Sequence, residues 1–279
     1  MRSKQASRLL EQVREQKPLV HNITNTVVAN FTANGLLAMG ASPVMANAEQ
    51  EADEMAKQAD ALVLNLGTLN DAQIEAMAKA GRAANEKGIP VVLDPVGAGA
   101  TIYRTNAAHK LLNELKITLV RGNAAEISAI AGLDSDIRGV DASRGEYNVE
   151  SIAVYAAKNV QASAIAVTGE RDAVADKHDV YTIYNGNSML SKVTGTGCLA
   201  SSVIAAFLSV SDKLTEGAAS ALGYYGIAAQ KASAYTNGQG PGTFQIQLLN
   251  ALYRIDEIDF KQQLHIEREI VNRGGALHE

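Results

Sequence analysis

The chain contains one cysteine, Cys198, in 279 residues. That scarcity excludes an internal disulfide framework and a zinc site made from several thiolates, and it suits a reducing compartment. Basic charge is also in short supply: Lys and Arg number 25 against 30 Asp and Glu, for a net charge of -5. No global positive field is offered to a phosphate backbone, and nucleic acid is not an expected partner. Long apolar runs are missing. The richest, 197–210, falls short of the roughly 20 residues that a helical span requires. It also contains Ser201, Ser202 and Ser209, so it reads as a buried helix and no membrane partner is expected. Arg2, Lys4, Arg8, Glu11, Arg14 and Glu15 interrupt the first segment and leave no apolar stretch for a secretory signal. The expected location is cytoplasmic. Internal repeats, low-complexity tracts and Pro/Gly-rich linkers are absent too. The expectation is a single domain over 1–279, with 135–146 as a polar surface insertion and 272–279 as a polar tail.

What is present is a rhythm. Short β-like runs are each closed by a Gly- or Asp-containing turn and followed by a helical stretch, which favours parallel strands with crossover helices. Runs 61–66, 91–93, 117–120 and 164–167 lead into Gly67, Asp94-Pro95, Arg121-Gly122 and Thr168-Gly169. In open α/β sheets ligands bind outside the carboxyl ends of the strands, so these four turns point to one shared crevice. Segments 71–87, 106–115 and 149–159 carry apolar residues near a 3.6-residue period and read as helices covering the sheet. Residues 174–175 and 180–184, joined by the polar turn 176–179, read as an antiparallel hairpin at one sheet edge, and the region beyond as helical.

Three segments could carry chemistry. In 193–198, Val-Thr-Gly-Thr-Gly-Cys, a glycine-rich turn runs into the small, apolar stretch 199–210. Glycines allow close approach, and the first helical N–H groups lack internal partners and can receive an anion. The alternative is a tight helix start with Cys198 as an inert small residue. The pattern is neither Walker A, since no Gly-Lys pair follows, nor a dinucleotide fingerprint, since the third glycine is missing. In 121–126, Arg-Gly-Asn-Ala-Ala-Glu, the three-residue spacing puts Asn123 and Glu126 on one helix face. There they either organise a hydrated Mg²⁺ and its phosphate ligands or form an N-terminal cap. Asp94 precedes Pro95 and a glycine-containing loop. It is either an oxygen ligand acting on Mg²⁺ through water or an ordinary turn former. His21, beside an apolar strand, reads as a hydrogen-bonded structural residue.

The combination is more specific than its parts. DPVGAG at 94–99, RGNAAE at 121–126, VTGE at 167–170 and VTGTGC at 193–198 occur in this order, with HNITN at 21–25, GASPVM at 40–45, LNLGTL at 64–69 and GPGTFQ at 240–245. Together they resemble the hydroxyethylthiazole kinase family over nearly the whole chain. The resemblance implies a ribokinase-like α/β fold with a mostly parallel central sheet flanked by helices. The implied reaction is Mg²⁺-dependent transfer of the ATP γ-phosphoryl group to the thiazole alcohol. Carried over residue by residue, it makes Arg121 and Thr168 ATP-phosphate contacts, Asn123 and Glu126 the Mg²⁺-phosphate organiser, and Asp94 a carboxylate on the metal side. It makes Gly195, Thr196 and Gly197 the anion hole and places Asn25, Met45 and Gly67 around the thiazole, with Gly195 at the reacting alcohol. A homotrimer with active sites between subunits is implied as well.

Cys198 stands where many ribokinase-like enzymes have an Asp proposed as the general base. A free thiol has a pKa of roughly 8.5, which a helix N-terminus can lower, so both a thiolate base and an inert neighbour are open. If the transfer is largely dissociative, strong deprotonation is not required, and Cys198→Ala with unchanged turnover would remove the base role alone. The alternatives to a thiazole kinase are a hydroxymethylpyrimidine kinase or an ATP-dependent repair lyase on the same scaffold, and a non-enzymatic regulator binding nucleotide or thiamine precursors.

Overall fold

The computed structural model describes residues 3–133 and 148–271. The insertion expected at 135–146 and the tail expected at 272–279 lie outside the described residues. Among the described residues nine strands form one sheet in the order β2-β1-β3-β4-β5-β6-β7-β8-β9. The first six, β1 (Leu19–Ile23), β2 (Ser42–Val44), β3 (Ala61–Asn65), β4 (Val91–Asp94), β5 (Ile117–Asn123) and β6 (Ala162–Thr168), are mutually parallel. The remaining three, β7 (Asp172–Ala175), β8 (Asp179–Ile183) and β9 (Ile266–Ile270), continue the sheet antiparallel.

Helices cover both faces, as a parallel sheet that must be buried on both sides requires. One core packs α1 (Ser3–Gln16), α2 (Ala29–Met39), α8 (Thr196–Leu208), α9 (Leu214–Thr236), α10 (Pro241–Arg254) and α11 (Glu257–Gln263) on Val20, Val63, Val92, Leu119 and Ala166. The other packs α3 (Ala52–Gln58), α4 (Asp71–Lys87), α5 (Ile102–Glu114), α6 (Ala124–Ile130) and α7 (Val149–Asn159) on Leu62, Leu64, Leu93, Val120 and Ile165. Successive residues of a strand point to opposite faces, which is why neighbours such as Leu62 and Val63 divide between the two cores.

The four buried runs and the three helices expected from the sequence are all present. Segments 71–87 and 149–159 coincide with α4 and α7. The expected helix at 106–115 starts earlier, at Ile102, where the Thr101 side chain accepts the Arg104 N–H at 3.3 Å. Ile102 and Tyr103 are exposed there and break the apolar stripe, so only the cap marks the true start. The hairpin of β7 and β8 is not at the sheet edge as expected. Strand β9, from the region read as helical, pairs with β8 and takes the edge. Its Ile-Glu-Arg-Glu-Ile sequence is mostly exposed and gives little apolar signal, while the Arg268 guanidinium meets the Asp179 carboxylate at 2.9 Å across the pair.

A candidate active site at the carboxyl edge of the sheet

The period-2 alternation that builds the first core also builds the site. Along β1, β3, β4, β5 and β6 the residues on the face covered by α8 and α9 are apolar until the carboxyl end, where they become polar: Val20 then Asn22, Val63 then Asn65, Val92 then Asp94, Leu119 then Arg121 and Asn123, Ala166 then Thr168. Strand register sets Asn65 beside Asp94 and Asn123 beside Thr168. Helix α8 lies over this row, and its small residues reach down to it. Ser201 Oγ donates to Asp94 Oδ2 at 2.8 Å, and Ser202 Oγ donates to Asn22 Oδ1 at 2.7 Å.

On one side of the α8 N-terminus, Asn25 donates through Nδ2 to Asn65 Oδ1 at 2.9 Å and to Cys198 Sγ at 3.5 Å. The Gly67 N–H donates to the same Asn65 Oδ1 at 3.0 Å. A Cβ on Gly67 would come within 2.7 Å of Asn25 Cγ, so glycine is what lets these two segments meet. Arg104 holds the adjoining loops, donating to the carbonyls of Leu66 at 2.7 Å, Val96 at 2.8 Å and Gly67 at 2.8 Å. His21 is buried with Nε2 2.8 Å from the Ala46 carbonyl, and desolvation holds its pKa below the usual value, as a structural histidine requires. Met45 follows β2 directly and is half-buried at the outer end of the parallel strands.

On the other side, Arg121 donates through Nη2 to Thr168 Oγ1 at 2.5 Å and places Nη1 3.7 Å from Asp94 Oδ2. Its guanidinium lies against the start of α8, where a Cβ on Gly197 would come within 2.7 Å of Nη1. Gly195 has φ +86° and ψ -6°, a left-handed conformation that strains other residues, and a Cβ there would meet Val28 Cγ1 at 2.6 Å. No side chain caps α8. Its Thr196 hydroxyl turns away to the carbonyl of Leu190 at 2.8 Å, so the first-turn N–H groups are left for a ligand.

Asn123 and Glu126 meet in a different way. Asn123 Oδ1 accepts the Glu126 N–H at 3.0 Å and Glu126 Oε2 accepts the Asn123 N–H at 2.9 Å, a reciprocal capping box at the start of α6. The second carboxylate oxygen of Glu126 accepts the Gly97 N–H at 2.9 Å and ties the loop after β4 to α6.

Electrostatics separates the acidic groups. Asp94 is fully buried, and desolvation holds its carboxyl above the usual range despite the opposing charge of Arg121 and the hydrogen bonds from Ser201 and Asn65. Among the described residues its Oδ1 is buried without a hydrogen-bond partner, an acceptor free for a ligand. Burial also pushes the Cys198 thiol up to about 11, with the Asp94 charge acting in the same direction. Desolvation thus outweighs the hydrogen bonds from Asn65 and Asn25 and the charge of Arg121, and the thiol is protonated at neutral pH.

The residues expected from the sequence fall into this one crevice, apart from Met45 at its outer end. Three others were not singled out by their sequence context. Asn65 ends an apolar run, Ser201 lies inside one, and Asp172 follows a turn. Burial pushes the Asp172 carboxyl up to about 6, partly offset by the Gly169 N–H it accepts at 3.0 Å and by the charge of Arg121. Asn65 sits within the 64–69 motif without a role of its own, and Ser201 and Asp172 lie shortly after the motifs at 193–198 and 167–170. That is a weak signal until register places Asn65 against Asp94.

A doubly wound sheet with an uncapped helix N-terminus between an arginine-carboxylate pair and a buried amide network is an α/β scaffold built to receive an anionic ligand at its carboxyl edge. Comparison with solved structures gives the same fold. The chain resembles a ribokinase-like superfamily protein from Enterococcus faecalis V583 (TM-score 0.62, 12% identity, 90% of this chain and 95% of that one). It also resembles Staphylococcus aureus pyridoxal kinase in complex with ADP (TM-score 0.60, 16% identity, 91% and 99%). At those identities the likeness concerns the fold. A hydroxyethylthiazole kinase from Pyrococcus horikoshii OT3 is far nearer, with TM-score 0.85 and 42% identity over 95% of this chain and 99% of that one. The sequence model of the hydroxyethylthiazole kinase family matches residues 10–257, and the chain belongs to that family.

Proposed function

We propose that this protein transfers the γ-phosphoryl group of ATP to the primary alcohol of 4-methyl-5-(2-hydroxyethyl)thiazole, giving the thiazole phosphate used in thiamine synthesis or salvage. The observation that carries the reading is the uncapped start of α8, lying between the Asn25–Asn65–Gly67 network and the Arg121–Thr168 pair. Asn25, Gly67 and Met45 would hold the thiazole, with its alcohol directed to Gly195. Arg121 and Thr168 would hold the ATP phosphates. As the bond to the γ-phosphorus forms on the alcohol side and that to ADP breaks, negative charge spreads over the phosphoryl oxygens. The N–H groups of Thr196, Gly197 and Cys198 point at that charge already oriented, so little reorganisation accompanies the reaction. A protonated Cys198 is a poor base, but a dissociative transfer asks little of one: the alcohol proton leaves late, to an oxygen of the transferred phosphoryl group and then to water, and the thiol's part is to fill the space beside Asn25.

The site fits Mg²⁺. Asp94 offers an unpartnered oxygen, and among the described residues no cluster of three or more His, Cys, Asp or Glu could hold a metal alone. That suits an ion that keeps waters and takes phosphate oxygens. Asp94 would hold it, with Glu126 and Asn123 acting through water because their polar atoms already serve the cap. When bound, Mg²⁺ would neutralise charge on the β- and γ-phosphoryl oxygens.

A homotrimer with active sites between subunits belongs to the same proposal. Met45 flanks the open edge of β2, where a thiazole held from one side would gain a second wall from a neighbouring subunit. Sedimentation as a monomer at working concentration would contradict it. A cytoplasmic location is proposed as well; no described helix is long and apolar enough to cross a membrane. The test of function is a product assay with ATP and Mg²⁺, offering hydroxyethylthiazole and hydroxymethylpyrimidine separately and identifying products by mass. Thiazole phosphate is expected. Pyrimidine phosphate alone would overturn the substrate, and no product from a folded, ATP-binding protein would overturn the reaction.

A further inference from the structure

We infer that Asn65 is a positioning residue that couples the alcohol side of the cleft to the Asp94 side, an inference that rests on the functional reading above. Asn65 ends β3 and is 1% exposed. Its Nδ2 donates to Asp94 Oδ2 at 3.0 Å, while its Oδ1 accepts from Asn25 Nδ2 at 2.9 Å and from the Gly67 N–H at 3.0 Å. The orientation of the amide is settled by its neighbours, since a backbone N–H can only donate and an ionised carboxylate can only accept. One buried amide therefore touches the two residues assigned to the thiazole and the carboxylate assigned to the metal.

The arrangement at Asp94 gives that contact a direction. Both neutral donors to Asp94, from Asn65 and Ser201, converge on Oδ2. Oδ1 is left buried and unpartnered. Two donors on one oxygen fix the carboxylate plane, so the free oxygen holds its place as a ligand. On the far side of the amide, loss of Oδ1 would release Asn25, which also reaches Cys198 Sγ, and the Gly67 turn. Acceptor alcohol and metal carboxylate are thus indexed to a single side chain, a short link of the kind that keeps nucleophile and phosphoryl group in line.

Three variants separate the two arms of Asn65. Asn65→Asp keeps the acceptor for Asn25 and Gly67 but replaces the donor that faces Asp94. Ser201→Ala removes the other donor on Asp94 and leaves the alcohol side alone. Asn65→Ala removes both arms. Calorimetric titration with hydroxyethylthiazole and with Mg²⁺–ADP gives a readout independent of turnover, beside kcat, KM for the alcohol, half-saturating Mg²⁺ and Tm. Asn65→Asp and Ser201→Ala are expected to weaken Mg²⁺–ADP and raise half-saturating Mg²⁺ by about tenfold, with hydroxyethylthiazole binding nearly unchanged. Asn65→Ala is expected to weaken both ligands by about tenfold each. The inference is overturned if Asn65→Asp and Asn65→Ala bind both ligands as the parent does. It is equally overturned if all three variants weaken both ligands in parallel with a lowered Tm. Should the Asn65 variants not fold, an unchanged Mg²⁺ requirement in Ser201→Ala overturns it. A parent protein that makes no thiazole phosphate would overturn the functional reading and this inference with it, a result seen before any variant is compared.

Discussion

Of the helices that start at the carboxyl edge of the sheet, α6 and α8 treat their first N–H groups in opposite ways. At α6, Asn123 and Glu126 close a reciprocal box, and Glu126 adds a bond to Gly97. At α8 the capping position is Gly195, left-handed and without a side chain, and the nearest hydroxyl turns elsewhere. A capped helix start is structural, whereas an uncapped one beside an arginine is a site for charge. The Asn-x-x-Glu and Gly-Thr-Gly patterns suggest phosphate chemistry about equally when read as sequence. In the proposed function the direct role falls to α8, while α6 serves as scaffold and reaches the metal only through water.

The comparison can be broken most severely at α8. Gly197→Asp would place a carboxylate among the first-turn N–H groups and against Arg121, and turnover is expected to fall by about a thousandfold in a steady-state assay. Arg121→Ala leaves the helix start intact but removes the guanidinium that Thr168 and Asp94 hold, and about a hundredfold loss of kcat is expected.

At α6 the effect should be smaller and of another kind. Asn123→Ala is expected to cost about 1 kcal/mol of stability, read by denaturant unfolding, with Asn123→Ser restoring most of it. If Asn123→Ala instead lost a hundredfold in kcat with unchanged stability, α6 would have to be counted as a direct phosphate site.

Cys198 should give the smallest change. Cys198→Ala is expected to keep turnover within about tenfold, because a thiol near pKa 11 is not ionised at the working pH. Alkylation by iodoacetamide should be slow at neutral pH and speed up towards pH 11. The folded-state value lies above the ordinary 9.0, so the protonated thiol stabilises the fold fully below pH 9.0. That contribution is lost as pH rises towards 11, and Cys198→Ala should not show the loss.

Legibility in the sequence followed burial. Strands β3 to β6 are apolar on both faces and stand out as runs, and α4 and α7 show a clean stripe, so the doubly wound core could be read directly. Strand β1 was less distinct because His21 and Asn22 interrupt its apolar run, and β9 was missed because its side chains are mostly exposed and charged. In the site, Asp94 and Arg121 could be read because they close apolar strand runs, and the 195–198 turn because its glycines lead into a small, apolar helical stretch. Asn123 and Glu126 could not be resolved between cap and metal organiser, since both roles need the same spacing. Asn65 and Ser201 look like ordinary members of apolar runs, and only strand register and the placement of α8 bring them to Asp94.

The most direct measurement is backbone amide NMR on the protein with ADP, Mg²⁺, hydroxyethylthiazole and aluminium fluoride, a mimic of the phosphoryl group in transit. The Gly197 and Cys198 amides are expected to shift strongly when the mimic is completed, while the Glu126 amide, already bonded to Asn123, holds its position. A large shift at Glu126 with Gly197 and Cys198 unmoved would contradict the account.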